Sequence, residues 1–151
     1  MAVVQIPSGK DTLIITAEFV NRPPVQLFDY WTKPNLLQKW WPPEAEVDPQ
    51  LGGMYHFFWP QMNWHLRGHY ITFKPEEELA FTWIWDHYPL VKEVVVSFEA
   101  LASLSDSGGT KITIHHGPYD DSEQSQIDRQ GHLEGWTYFL EKLQNLGEYN
   151  S

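Results

Sequence analysis

The 151-residue chain contains no cysteine. That excludes disulfides, thiolate nucleophiles and cysteine-ligated zinc, and it fits a reducing compartment. Basic residues are scarce: 10 Lys and Arg stand against 20 Asp and Glu, for a formal net charge of -10, and the basic ones do not cluster. A phosphate backbone or an anionic membrane surface would be repelled by that field, so neither nucleic acid nor membrane is an expected partner. No apolar run reaches the roughly 18 residues of a spanning helix. The first residues, MAVVQIPSGKDTL, lack the charged start, apolar stretch and cleavage site of a signal peptide, which makes the cytoplasm the expected location. Repeats and linkers are absent as well, and this length suits a single domain over residues 1–151 with one core.

What the chain has in excess is aromatic: eight Trp, seven Tyr and eight Phe. In FTWIWDHY, residues 81–88, rings occupy alternate positions. Alternate side chains of a strand share one face, so Phe81, Trp83 and Trp85 point the same way. That face is either a packed core or the wall of a pocket.

Along the chain, TLIITAEFV (12–20) reads as a strand from its β-branched content. NRPPVQLFDYWT then reads as a helix, with Asn21 as cap, prolines in the first turn, and Val25, Phe28 and Trp31 on one face. A second short helix runs from Pro34 to about Trp40 before WWPPE stops it. From Glu44 to His116 the text becomes EAEV, MYHFFW, WHLRGHYITF, ELAFTWIW, VKEVVVSFEAL and TKITIHH, broken by the turn signals DPQLGG, WPQMN, KPEEE, DHYP and SDSGG. With the first strand this predicts a seven-stranded antiparallel meander. From Asp121 to Leu146, the residues Leu133, Trp136, Leu140 and Leu143, flanked by Ile127, Phe139 and Leu146, recur at helical spacing, and the acidic DDSE suits the helix start. That helix would span about 39 Å at 1.5 Å per residue, enough to cross a curved sheet. Gly131 and Gly135 within it suggest close approach of the sheet. The fold class is α+β, a curved sheet gripping a long helix with a cavity between them.

Alternation assigns faces within that frame. Tyr55, Phe57 and Trp59 share one, as do Ile112, Ile114 and His116, while His115 lies opposite; Val96 and Phe98 join the inward set. Counting back from Phe73 and Ile71 carries His69, Arg67 and His65 inward as well, unless a bulge at Gly68 intervenes. A lone inward Arg67 needs a carboxylate, and Glu93, Glu99 or a ligand would supply it. The candidate cavity residues are Trp41, Tyr55, Phe57, Trp59, Arg67, His69, Ile71, Phe81, Trp83, Trp85, Val96, Phe98, His116, Trp136 and Phe139, with Trp136 or Phe139 as lid. A filled aromatic core is the alternative.

Catalytic and metal chemistry find little support. His65 and His69 share a strand face about 13 Å apart, too far for one ion, and no HExxH-type Glu lies between them. His56, Asp86 and His87 qualify as acid or base only if they line the pocket, and no GxSxG elbow occurs. No catalytic residue, metal or cofactor is expected.

Five blocks, WTKPNLLQKWWPPE, DPQLGGMYHFFW, RGHYITFKPEEELAFTWIWD, GGTKITIHHG and HLEGWTYFLEKL, resemble in order and spacing those of the family named for the activator of the Hsp90 chaperone's ATPase. That family belongs to the START-like (SRPBCC) superfamily with the birch-pollen-allergen, or helix-grip, fold. The resemblance runs from about residue 11 to 146. It implies a seven-stranded antiparallel sheet wrapped round a C-terminal helix with a hydrophobic pocket between them. Two positions depart from the pattern, Pro42 for the usual Gly after the paired Trp, and WPQMN for an Asp-Gly turn. Three readings of function follow. The first is a binding protein for a hydrophobic lipid- or polyketide-like small molecule, oriented by Arg67, His69 and His116. The second is a chaperone-associated or other protein-interaction module of the stress response, docking through exposed Trp40, Trp41 and Trp64, as monomer or homodimer. The third is a cyclase or hydrolase using a pocket histidine.

Overall fold

The computed structural model describes residues 3–101 and 108–149. Strand β1 (Val3–Ile6) precedes β2 (Leu13–Val20), and two short helices follow, α1 (Pro24–Thr32) and α2 (Pro34–Leu37). Six strands come next: β3 (Glu44–Val47), β4 (Met54–Trp59), β5 (Trp64–Lys74), β6 (Glu78–Trp85), β7 (Tyr88–Leu101) and β8 (Gly109–Gly117). The long helix α3 (Glu123–Tyr149) is the last described element. The described strands form one antiparallel sheet in the order β1-β2-β8-β7-β6-β5-β4-β3. This is the expected α+β helix-grip architecture, with eight strands rather than seven. The added β1 is four residues long, mostly exposed, and pairs Val3 to Ile6 with Ala17 to Ile14 of β2. So short and exposed an edge carries no alternation to read.

Local chemistry explains the element ends. Asn21 does not cap α1: it adopts φ 62° in the turn, and Pro23 is the cap residue, with proline at the first helical positions. Val25 is exposed, while Leu27, Phe28, Tyr30 and Trp31 supply the buried face of α1. Helix α2 stops at Leu37, and turn bonds from the amides of Lys39, Trp40 and Trp41 carry the chain to the prolines. Ser122 caps α3 by accepting the amide of Ser125 at 3.1 Å. Part of the SDSGG turn lies outside the described residues. Arg22, buried beneath the last turns of α3, donates to the Leu143 carbonyl at 2.5 Å and to Gln26 Oε1 at 2.8 Å, and its guanidinium lies 4.9 Å from the Tyr30 ring centre. One arginine thus ties α3 to α1.

The core alternates as the strands demand. Leu13, Ile15, Ala17 and Phe19 of β2 are buried, and so are Val94, Val96 and Phe98 of β7 and Ile112, Ile114 and His116 of β8. In β5 the register slips between Tyr70 and Thr72, leaving Ile71 as an extra residue opposite β6. The parity of the strand therefore reverses there. Leu66, Gly68 and Tyr70 face the core, whereas Arg67, His69 and Ile71 face solvent. Gly68 is needed for close approach: a Cβ would sit 2.1 Å from the Thr82 carbonyl oxygen and 2.6 Å from the Tyr55 ring. Without it, Tyr55 lies across β5 and donates its hydroxyl to the Thr82 carbonyl at 2.6 Å.

Candidate ligand cleft

The backbone of helix α3 approaches the sheet at β1 and β2, and Leu140 and Leu143 of the helix are fully buried. On the side of β6 and β7 a cleft of about 580 Å³ opens between helix and sheet. Six indoles line it, those of Trp41, Trp59, Trp64, Trp83, Trp85 and Trp136, together with Phe139. Trp41 stands parallel to Trp83 at 5.9 Å and meets Trp136 at 5.0 Å, and Trp85 meets Trp83, Trp59 and Trp64 at 5.6, 5.5 and 5.6 Å. Trp31 and Trp40 continue the contacts behind Trp41, so all eight tryptophans form one connected network. Each ring is thereby held by others, which fixes the aromatic part of the wall. At the mouth, Met62, Leu90 and Ile127 add aliphatic surface.

Gly131 and Gly135 also line the cleft, and a Cβ on either would meet nothing within 4 Å. The sheet does not approach them closely. They leave empty the volume that side chains on that face of α3 would take.

Polar groups gather at one end. Lys92 Nζ donates to the Pro118 carbonyl at 2.6 Å and lies 4.3 Å from the Tyr119 ring centre, and Lys92 is 5% exposed. Burial lowers its pKa, against the raising pull of Asp128 and Asp120. Asp128 accepts from Gln124 at 3.0 Å through Oδ1, while Oδ2 is buried with no hydrogen-bond partner. Burial, followed by hydrogen bonding of its hydroxyl to the neighbouring Asp128 side chain and by that carboxylate's charge, raises the pKa of Tyr88. Tyr119 is held protonated by burial and shares a 2.7 Å hydrogen bond with His132 Nδ1. The phenol is therefore the donor, and the His132 ring proton sits on Nε2. Burial pushes the His132 pKa down to about 4. His116, stacked on His132 at 4.3 Å, accepts from Trp136 Nε1 at 3.0 Å, and burial holds it well below the usual histidine range. Both imidazoles are neutral at pH 7.

Of the residues expected at the cavity, Trp41, Trp59, Trp83, Trp85, Trp136 and Phe139 line the cleft. Tyr55, Phe57, Phe81, Val96 and Phe98 share the interior face but are packed into the core beyond it. His116 is fully buried behind Trp136 and His132. Arg67, His69 and Ile71 are on the opposite face because of the β5 bulge. Arg67 pairs there with Asp86 at 2.9 Å rather than with Glu93 or Glu99. His56 Nε2 meets His65 Nδ1 at 2.7 Å between β4 and β5. Among the described residues no three His, Asp or Glu converge on a metal position. Trp40 and Trp41 are buried, so the exposed patch expected of them does not exist, and Trp64, 39% exposed, belongs to the cleft wall. Sequence reasoning missed Lys92, Asp128 and His132. For Lys92 a signal was present, because the inward parity of Phe98, Val96 and Val94 extends to it.

A long helix held off a curved antiparallel sheet, with an aromatic cleft between them, defines the helix-grip class of α+β protein. Residues 21–148 match the family described as activator of Hsp90 ATPase homolog 1-like protein, and the chain belongs to that family. The structure of protein MLL2253 from Mesorhizobium loti is similar at TM-score 0.80 and 19% identity, covering 93% of this chain and 98% of that one. Protein NE0264 from Nitrosomonas europaea gives 0.76 and 20%, covering 95% and 98%. DynU16, from the dynemicin biosynthetic locus, gives 0.77 and 14%, covering 96% of this chain and 49% of that one. At these identities the likeness shows the fold alone. No curated protein matches the chain. Among the described residues no helix is long and apolar enough to cross a membrane.

Proposed function

We propose that the protein binds an apolar small molecule, lipid-like or polyketide-like, in the cleft between β6, β7 and α3. The observation that carries this reading is the void itself: about 580 Å³ walled by six mutually braced indoles, within the 300–1,000 Å³ typical of ligand sites. A merely structural aromatic cluster would close on itself, because filling such a space recovers dispersion contacts. Two glycines in the interior of α3 keep it open at a cost in helix stability of about 1 kcal/mol each. The protein-interaction reading has no comparable support, since its proposed anchors Trp40 and Trp41 are buried. The test is native mass spectrometry of the protein purified from its own cells, against a denatured sample. A small molecule that leaves on denaturation is the expected result. Bare protein in every preparation, with no binding of hydrophobic probes to the purified chain, overturns the reading.

A further inference from the structure

We infer that the ligand carries a hydroxyl group which bridges Lys92 and Asp128 at the polar end of the cleft. The inference rests on the proposed binding role and names the chemistry of its anchor. Lys92 is nine-tenths buried, projects from the inward face of β7 and lines the cleft. An ammonium has three N–H donors, and the Pro118 carbonyl takes one of them. The Tyr119 ring offers the cation a π face but no lone pair of comparable strength. Among the described residues Lys92 has no carboxylate within ion-pair distance. Across the cleft, Asp128 on α3 keeps Oδ2 buried and outside hydrogen-bond geometry with any described donor, although the Tyr88 hydroxyl lies beside the carboxylate.

A buried cation with spare donors and a half-buried carboxylate with a spare acceptor oxygen, lining the same cleft yet not paired, are complementary halves of an unfinished arrangement. Moving them together would close the polar end. A ligand group that accepts from Lys92 while donating to Asp128 would complete it without that movement, and a hydroxyl does both with one atom. A carboxylate would satisfy Lys92 but confront Asp128 with a like charge, and an ether would accept without donating. The His132 ring at the same wall is neutral and adds no charge that would favour an anion.

The experiment is isothermal titration calorimetry of the full chain at pH 7 with three probes that share one flat apolar body: 2-naphthol, 2-methoxynaphthalene and 2-naphthoate. The expected result is 2-naphthol tighter than either of the others by about tenfold or more, as a hydrogen bond to a charged partner implies. Lys92→Met and Asp128→Leu, each checked for folding by near-ultraviolet circular dichroism, should each bring the naphthol and methoxynaphthalene affinities within about threefold of one another. Equal binding of those two probes by the wild-type chain overturns the bridge while leaving an apolar cleft. Tightest binding of naphthoate overturns it in favour of Lys92 as an anion anchor. If none of the three binds, the bridge falls, and native mass spectrometry of the purified protein decides whether the binding reading falls with it. The wild-type comparison decides the matter even if a variant does not fold.

Discussion

Replacing Gly131 and Gly135 with alanine should make the protein more stable, which is an unusual expectation for two glycines beside a candidate site. Neither has a positive φ, and a Cβ on either meets no atom within 4 Å. No steric cost offsets the gain in helix propensity. Each Gly→Ala change in a helix interior recovers about 1 kcal/mol, so the pair should contribute about 2 kcal/mol. For a chain of this length that corresponds to a rise in Tm of about 4–8 °C, followed by circular dichroism. Gly135→Leu separates stability from function. Leucine is nearly as good a helix former as alanine, so Tm should again rise, but its side chain would project into the cleft beside Trp136. Binding of 2-naphthol, read as quenching of the tryptophan network, should fall by about tenfold or more if the void is the site. A drop in Tm for the alanine pair would mean that helix and sheet lie closer than they do here. Undiminished binding by Gly135→Leu would place the ligand elsewhere.

Acid should weaken the fold through the histidine stack. His132 titrates near 4 in the folded state because of burial, against about 6.5 when unfolded. The unfolded chain therefore takes up the proton first, and stability falls as the pH drops below 6.5. Between pH 6.5 and 5 His132 alone should cost about 2 kcal/mol; His116 acts in the same direction, and denaturant unfolding of His132→Phe should show a shallower slope over that window. An unchanged slope would refute the assignment. Arg67→Ala, by contrast, removes an exposed pair with Asp86 on the outer face. It should cost under about 1 kcal/mol and leave 2-naphthol titrations unaltered; a large loss of binding would mean that the outer face contributes to the site.

The faces of β4, β6, β7 and β8 follow from parity, since two-residue periodicity survives where the register is unbroken and the shift between β6 and β7 at Trp83 and Trp85 adds an even number of residues. Arg67, His69 and Ile71 went to the wrong face for a definite reason. Counting back from Phe73 crosses the extra residue at Ile71, and one inserted residue inverts every assignment beyond it. Phe73, which lies on the far side of the bulge, still packs against Phe28 at 5.3 Å. Nothing in HYITFK announces the bulge, because it arises from how β5 meets β6 and not from a turn residue in either. The glycine at position 68 was a visible anomaly, but it answers to the Tyr55 ring and the Thr82 carbonyl.

Depth is a different kind of information from facing, and it separates the candidate residues. Tyr55, Phe57, Phe81, Val96 and Phe98 have the same inward parity as Trp59, Trp83 and Trp85, yet the first group is core and the second is cleft wall. Parity says which side of the sheet a residue takes; it is silent on how far away the opposing layer stands. That distance is set here by α3, whose Asp128, Gly131, His132, Gly135, Trp136 and Phe139 fall on one helical stripe, with two glycines where bulk would seal the gap. The same stripe was legible as a core face through Trp136 and Leu140. Recognising it as a cleft required reading its glycines as room for a guest instead of room for the sheet. Lys92, inward by parity and opposite Asp128 on that stripe, is the residue for which the distinction matters most, because a charge facing a closed core and one facing an occupied cleft call for different partners.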